Sequence, residues 1–260
     1  MSAPGQSLVF ITGASSGIGQ ALALRYHQAG YRLALVARRG EAMQTWALEL
    51  GLSPDSYAVY SADVADTESI VAAAQSCIAR QGLPDIVIAN AGISIGIDSA
   101  RREDINAMAQ VFSTNNIGLA ASFHPFIEAM GVRGSGRLVG IASVAGIRGL
   151  PGHAAYCASK AAVISYCEAL RGELRGTGVQ VITIAPGYVD TPLTRKNRYP
   201  MPFLMPASGF ADQAYKAIAA GDSYRVIPWQ MGLVSKLMRL IPNALWDRIL
   251  ARQPRKHRGV

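Results

Sequence analysis

The chain has 260 residues, 50% of them hydrophobic and 16% charged, with a net charge of +8. The apolar share supports a buried core and excludes disorder, while 26 Gly and 13 Pro are too few for a collagen-like or low-complexity chain. No apolar run approaches the ~18 residues of a membrane span, the N-terminus lacks the basic start of a signal peptide, and Cys77, Cys157 and Cys167 show neither metal nor disulfide spacing, which points to a reducing cytoplasm.

A strand at 8–12 runs into Thr12-Gly13-Ala14-Ser15-Ser16-Gly17-Ile18-Gly19 and then a helix over 17–29. Glycines let the backbone turn tightly and approach a pyrophosphate, and the helix N-terminus offers free N–H groups to it. A second strand, 32–37, ends in Ala37-Arg38-Arg39, where an acid would meet the ribose hydroxyls of NAD. Arg38 and Arg39 suit a 2′-phosphate instead, which favours NADP(H). Further strands are expected at 57–63, 85–89, 137–142, 179–185 and 224–227, with helices at 67–80 and 154–175 between them. Runs such as Ile86-Val87-Ile88-Ala89 are apolar throughout, as in strands covered on both faces. The alternation predicts right-handed βαβ units in an α/β fold, a doubly wound parallel sheet of Rossmann type. One domain is expected, with 1–228 as its nucleotide-binding and catalytic body and 229–260 as a helical extension of it.

Two segments interrupt the rhythm. The stretch 191–210 carries four prolines together with Tyr199, Phe203 and Phe210, and is expected to cover a substrate. Residues 229–260 read as an amphipathic helix, a break at Pro242 and a second helix begun by Asn243. In the first of these, Ser235, Lys236 and Arg239 share a narrow face and apolar residues fill the rest. Charge is concentrated here: residues 195–260 carry +9 and the remainder −1. Packing over the substrate pocket, a dimer contact and an interfacial membrane helix are all compatible with this pattern. Nucleic acid is not expected, since no reading motif accompanies the cations.

Tyr156 and Lys160 stand four apart in a helical stretch and share a face. An ammonium beside a phenol favours the tyrosinate and would bring its pKa, ordinarily ~10, toward working pH. Ser143 follows the strand at 137–142, Asn90-Ala91-Gly92 follows the strand at 85–89, and Pro186-Gly187 ends the strand at 179–185. All fall on the carboxyl edge of the sheet, where open α/β sheets bind ligands. His27, His124, His153 and His257 show no ligand spacing, so no metal is expected. His153 reads as a pocket wall and Cys157 as a small helix residue.

These motifs, with Asp63-Val64, Asn115-Asn116-Ile117-Gly118, Tyr156-Cys157-Ala158-Ser159-Lys160 and Pro186-Gly187-Tyr188-Val189-Asp190-Thr191, resemble the short-chain dehydrogenase/reductase family in its compact single-domain branch, over roughly residues 7–192. The resemblance implies that Tyr156 exchanges a proton with the substrate oxygen. It implies that Lys160 binds the nicotinamide ribose and lowers the tyrosine pKa, and that Ser143 hydrogen-bonds the carbonyl. Asn115, which precedes Gly118 by three, would hold a relay water. Gly13, Ser15, Ser16, Gly17, Ile18 and Gly19 would hold the pyrophosphate. Asp63 and Val64 would meet adenine, and Asn90 with Ala91 and Gly92 the adenosine side. Val189 and Thr191, after Pro186 and Gly187, would meet the carboxamide, and Arg38 takes the NADP-selecting place. The implied activity is hydride transfer between NADP(H) and the carbonyl or alcohol of a small apolar substrate, ketone-, acyl-, lipid- or steroid-like. A non-catalytic NADP-binding sensor or scaffold is the alternative; retention of Asn115, Ser143, Tyr156 and Lys160 together argues against it. A homodimer is expected, in the cytoplasm, with peripheral contact at the inner face of a membrane through the C-terminal extension. That extension departs from the short tail of many family members.

Overall fold

The computed structural model describes residues 6–195, 197, 200–251 and 258. In chain order the elements are β1 (Leu8–Thr12), α1 (Gly17–Gln28), β2 (Arg32–Ala37), α2 (Gly40–Glu49), β3 (Tyr57–Ser61), α3 (Thr67–Gln81), β4 (Ile86–Ala89), α4 (Asp104–Phe112), α5 (Gly118–Arg133), β5 (Gly136–Ile141), α6 (Ala154–Glu173), β6 (Val179–Pro186), β7 (Val189–Asp190), β8 (Met205–Pro206), α7 (Ala207–Ala220), β9 (Tyr224–Ile227), α8 (Trp229–Leu240) and α9 (Asn243–Leu250). Seven strands form one parallel sheet in the order β3-β2-β1-β4-β5-β6-β9. The order reverses between β1 and β4, and the carboxyl ends on either side of that switch are where a crevice opens in this topology.

Successive side chains of a strand point to opposite faces, and both faces are buried here. Leu8 and Phe10 of β1 enter a core completed by Ile70 and Cys77 of α3, Phe123 and Phe126 of α5, and Val163 of α6. Val9 and Ile11 enter the opposite core with Leu22 and Tyr26 of α1, Met43 of α2 and Phe210 of α7. Phe10 meets Phe126 edge to face at 5.0 Å. Local signals set the helix ends: Asp66 caps α3 by accepting from the N–H groups of Glu68 and Ser69, and left-handed glycines close α5 and α7. The expected strands and α1, α3 and α6 are present within two residues of their anticipated limits. The sequence pattern passes over α2, α4 and α5, the last of which carries Pro125 in its interior.

Two expectations are corrected. The end of the stretch 191–210, expected to cover a substrate, is regular structure instead: Met205–Pro206 pairs with Val189–Asp190, and Phe210 lies in α7 with no exposed surface. Tyr199 lies outside the described residues. On α8, Ser235 was expected on the solvated face, yet it is 2% exposed with Met231 as its buried neighbour, while Trp229, Leu233, Leu237 and Leu240 face outward. Burying Ser235 costs little because its hydroxyl donates to the Gly232 carbonyl at 2.9 Å. The small Gly232 and Ser235 let the helix approach Val226 of β9, which a large apolar residue would prevent. Of the basic residues expected at the chain's end, Arg248 is exposed on α9 and Arg258 is placed, whereas Arg252, Arg255, Lys256 and His257 lie outside the described residues.

Candidate active site

The carboxyl edge begins with the glycine loop after β1. A methyl group on Gly13 would come within 2.8 Å of Ala91 Cα, and one on Gly19 within 2.2 Å of the Gly13 carbonyl oxygen, so both positions require glycine. Gly13 and Gly17 also have φ of +65° and +56°, the left-handed region. Thr12 and Asn90 lock this loop across the switch point. Thr12 Oγ1 accepts from the backbone N–H of Asn90 and Ala91, each at 3.1 Å, and Asn90 Nδ2 donates to the carbonyls of Thr12 and Gly13. Asn90 therefore braces the loop here. Thr12 was given no role by the sequence, although a hydroxyl at the last position of the first strand is the signal for it.

Helix α1 starts at Gly17, and its N-cap, Ser16, makes no side-chain cap bond. The first N–H groups of the helix, with Ser15, Ser16 and Ile18 around them, thus remain available to an anion. The side chain of Thr191, 7% exposed, packs on Gly17. Arg38 and Arg39 stand exposed beyond the end of β2, and Arg38 lies 4.0 Å from the carboxylate of Asp63 after β3. Asp63 also accepts from the N–H of Ala65, and Val64 is buried with its carbonyl against Gly118. Val189 is buried beside β6, and Gly187 donates to the Ile227 carbonyl at 2.7 Å. Close-packed glycines, open helix N–H groups and two guanidinium groups fit a phosphorylated dinucleotide.

On the substrate side, Ser143 ends β5 and its hydroxyl accepts from the N–H of Ala145, capping the short turn Val144–Gly146. The Ser143 side chain acts on the Tyr156 phenol as a hydrogen-bonding neighbour that favours its ionised form. Lys160, one turn along α6, is 5% exposed, donates to the Ile141 carbonyl at 2.8 Å and lies 5.9 Å from the centre of the Tyr156 ring. Asn115 sits in a π-helical turn, Ser113–Ile117, between α4 and α5, a distortion common at functional sites. Its amide accepts from the Ile93 N–H and donates to the Ile93 carbonyl and to Ser159 Oγ. A methyl group on Gly92 would lie 3.2 Å from Asn115 Oδ1 and 3.4 Å from Lys160 Nζ, so both side chains converge there. Asn116 instead donates to the Ser159 carbonyl. Ser159, which the sequence left without a role, joins Asn115 to the backbone of Tyr156.

Electrostatics correct one expectation. The Tyr156 phenol is not lowered; burial pushes it up to about 12, opposed by the Ser143 hydrogen bond. Lys160 is itself desolvated, which brings it down to about 8, and its ammonium is directed to Ile141 rather than to the phenol. Burial likewise raises the Cys157 thiol, making it a poor nucleophile.

The profile described as short chain dehydrogenase matches residues 7–201. The chain belongs to the short-chain dehydrogenase family. It is 38% identical over 237 residues to an uncharacterized oxidoreductase of Myxococcus xanthus, covering 91% of this chain and 93% of that one. Among solved structures it is similar to a closed form of serine dehydrogenase complexed with NADP+ (27% identity, TM-score 0.74, 81% of this chain and 88% of that one). It shares its fold with a short-chain dehydrogenase/reductase from Burkholderia phymatum in complex with NAD (24% identity, TM-score 0.81, 100% of both chains). This short-chain dehydrogenase is an oxidoreductase, built on a Rossmann-like parallel sheet.

The buried ammonium makes a stability prediction. With its pKa at about 8 in the folded state against 10.5 ordinarily, Lys160 penalises folding fully below pH 8, and the penalty fades as pH rises to the unfolded value. Lys160→Met should therefore gain stability over the parent at pH 7 and lose most of that advantage by pH 10. The change is up to ~3 kcal/mol at 1.36 per pKa unit, read from urea midpoints of both proteins across that range. A pH-independent difference would contradict the burial argument.

Proposed function

We propose that this short-chain dehydrogenase is an NADP(H)-dependent ketone reductase, working in either direction on a small apolar carbonyl or alcohol of lipid, acyl or steroid-like character, with Tyr156 as the acid/base. The observation that carries the reading is the convergence of Ser143, Tyr156 and the buried Lys160 at the carboxyl edge, where Lys160 and Asn115 also meet at Gly92. When bound, the nicotinamide nucleotide supplies or takes up the hydride. Ser143 and Tyr156 then face the oxygen on which negative charge grows, and Tyr156 gives it a proton. A phenol held near 12 stays protonated until that charge develops, so it serves as an acid for reduction at neutral pH. Lys160 would meet the nicotinamide ribose and offset the charge left on Tyr156, with Asn115 fixing the water that returns the proton.

An apolar substrate is favoured by Ile93, Ile95 and Ile97 on the segment after Gly92, which pack with Val111 and Ala155 of α6. NADP(H) is favoured by the exposed guanidinium groups of Arg38 and Arg39 directly after β2, where no acidic residue ends the strand, with Asp63 4.0 Å from Arg38, and the serine dehydrogenase neighbour carries the same nucleotide. A reducing compartment such as the cytoplasm is favoured by the free, buried Cys77, Cys157 and Cys167. Among the described residues no helix is long and apolar enough to cross a membrane. The outward stripe of Trp229, Leu233, Leu237 and Leu240, with Lys236 and Arg248 near it, favours peripheral contact with an anionic lipid surface or, failing that, a homodimer.

Tyr156→Phe keeps the ring's packing and removes the proton. It should lower kcat by ~10²–10⁴-fold while leaving NADPH affinity, measured by fluorescence titration, nearly unchanged; wild-type kcat would refute the assignment, and lack of turnover in the parent on any ketone would favour the sensor alternative. Arg38→Asp should weaken NADPH by ~1.5–3 kcal/mol, the loss of a charge-assisted hydrogen bond, and leave NADH little affected; equal parental affinities for the two nucleotides would remove the NADP assignment. For the lipid contact, sedimentation with anionic vesicles at low salt should be lost at high salt and in Leu233→Glu/Leu237→Glu. Binding that ignores salt or these changes argues against it, and a dimer in light scattering that the same changes dissociate identifies a second copy as the occupant.

A further inference from the structure

The roles assigned above use Ser143 and Tyr156 but not the residues between them. The turn Val144–Gly146 rests on α6, where a methyl group on Gly146 would come within 2.6 Å of the Lys160 backbone. The next residues are held from the C-terminal side. Arg148 donates to the carbonyl oxygens of Met238 and Ile241, the latter at 2.6 Å, and to Asn243 Oδ1 at 3.1 Å, and its guanidinium lies 4.6 Å from the centre of the Trp246 ring. Trp246 Nε1 donates in return to the Gly149 carbonyl, and Arg239 to the Ile147 carbonyl. The acceptors on Met238 and Ile241 are carbonyls at the end of α8, the negative end of its dipole, where the Met238 oxygen also accepts from the Ile241 N–H, so a guanidinium is matched to them in charge and in the number of its donors.

The segment after Gly92 forms the other border of the site. Its Ile97 N–H donates to the Gly152 carbonyl, which joins the two borders, and Gly96 forms a backbone bridge with Arg258. Arg258 Nη2 reaches Glu103 at 2.9 Å and Asp104 at 2.8 Å, and Nε reaches the second Asp104 oxygen at 2.9 Å. That oxygen also accepts from the Asp98 N–H at 2.7 Å. Arg258 holds the Asp104 carboxyl down at about 2, so the contact persists through the physiological range.

We propose that Arg148 and Arg258 are positioning residues for the reaction: they fasten the C-terminal extension to the segments 144–153 and 93–98, and so fix the borders of the site that receives the substrate carbonyl. The inference rests on the assignment of Ser143 and Tyr156 made above. Exposed ion pairs add little to global stability, so the work of Arg258 falls on the order of the segment it touches. A purely stabilising role would show the reverse.

The full chain with Arg258→Ala should show faster hydrogen exchange at 93–98 with an unchanged urea midpoint, and Arg148→Met faster exchange at 144–153. With NADPH and 2-decanone, both should lose about tenfold in kcat/KM, about 1.4 kcal/mol, through KM rather than kcat and at unchanged NADPH affinity. Arg148→Lys and Arg258→Lys should recover part of the loss. Unchanged exchange in Arg258→Ala, or faster exchange with unchanged kcat/KM, overturns the proposal even if Arg148→Met fails to fold. Ser143→Ala separates the two levels. Full turnover there removes the active-site assignment and the positioning role with it, whereas lost turnover beside an unaffected Arg258→Ala overturns the positioning role alone.

Discussion

A charged amine held out of water with one backbone carbonyl for a partner is the constraint on which this site depends. Lys160 is almost wholly buried, and the Ile141 oxygen is its hydrogen-bond acceptor. Desolvation of that kind is costly unless partners compensate. It persists because α6 is held between the sheet and its neighbours by Val163, Cys167 and Leu170, all buried in the core. The lysine is thereby under pressure to find an acceptor or to lose its proton, and a ribose hydroxyl or a developing phenolate beside it would relieve that pressure. A ligand that offers such an acceptor would be bound with part of the desolvation cost already met by the fold.

The pair of shifts is informative in combination. Burial pushes the phenol up and the ammonium down, so at neutral pH the ground state carries a protonated tyrosine beside a lysine close to its titration point. Two groups whose environments push them apart in this manner are suited to different roles; in the proposed reaction the tyrosine would give the proton and the lysine answer the charge left behind. The sequence spacing alone suggested a lowered tyrosine. It did so because an i, i+4 pair specifies a shared face but says nothing of depth, and depth decides the sign here.

Legibility followed the range of the interactions. Strand positions, the switch point and the glycine loop could be read because they rest on local patterns: apolar runs, Gly13 and Gly19 at fixed spacing, Asp66 before α3. Ser143, Tyr156 and Lys160 could be placed at one edge because a parallel sheet puts all its strand ends there. What could not be read depends on distant partners. Thr12 meets Asn90 across 78 residues, and Arg148 meets Ile241 across 93. Phe210, expected in a surface cover, is core because α7 lies on α1, a contact that prolines upstream of it do not reveal.

The C-terminal extension illustrates how a sheet of this kind acquires specificity without altering its catalytic edge. On the proposed function, hydride transfer would constrain Ser143, Tyr156 and Lys160 closely, since each would act on one atom of the substrate or beside it. The borders of the site are free of that constraint, provided something holds them. In this chain the holding groups are two guanidinium forks: Arg148, before α6, aimed at the end of α8, and Arg258, after the last strand of the sheet, aimed at the Glu103 and Asp104 carboxylates. These anchoring contacts touch backbone carbonyls and acidic side chains, whereas Met231 and Ser235 tie the first turns of the extension into the protein interior. On the proposed function the borders of the site would therefore be set from the residues after Ile227 and the chemistry from the sheet edge, so that one could vary without the other.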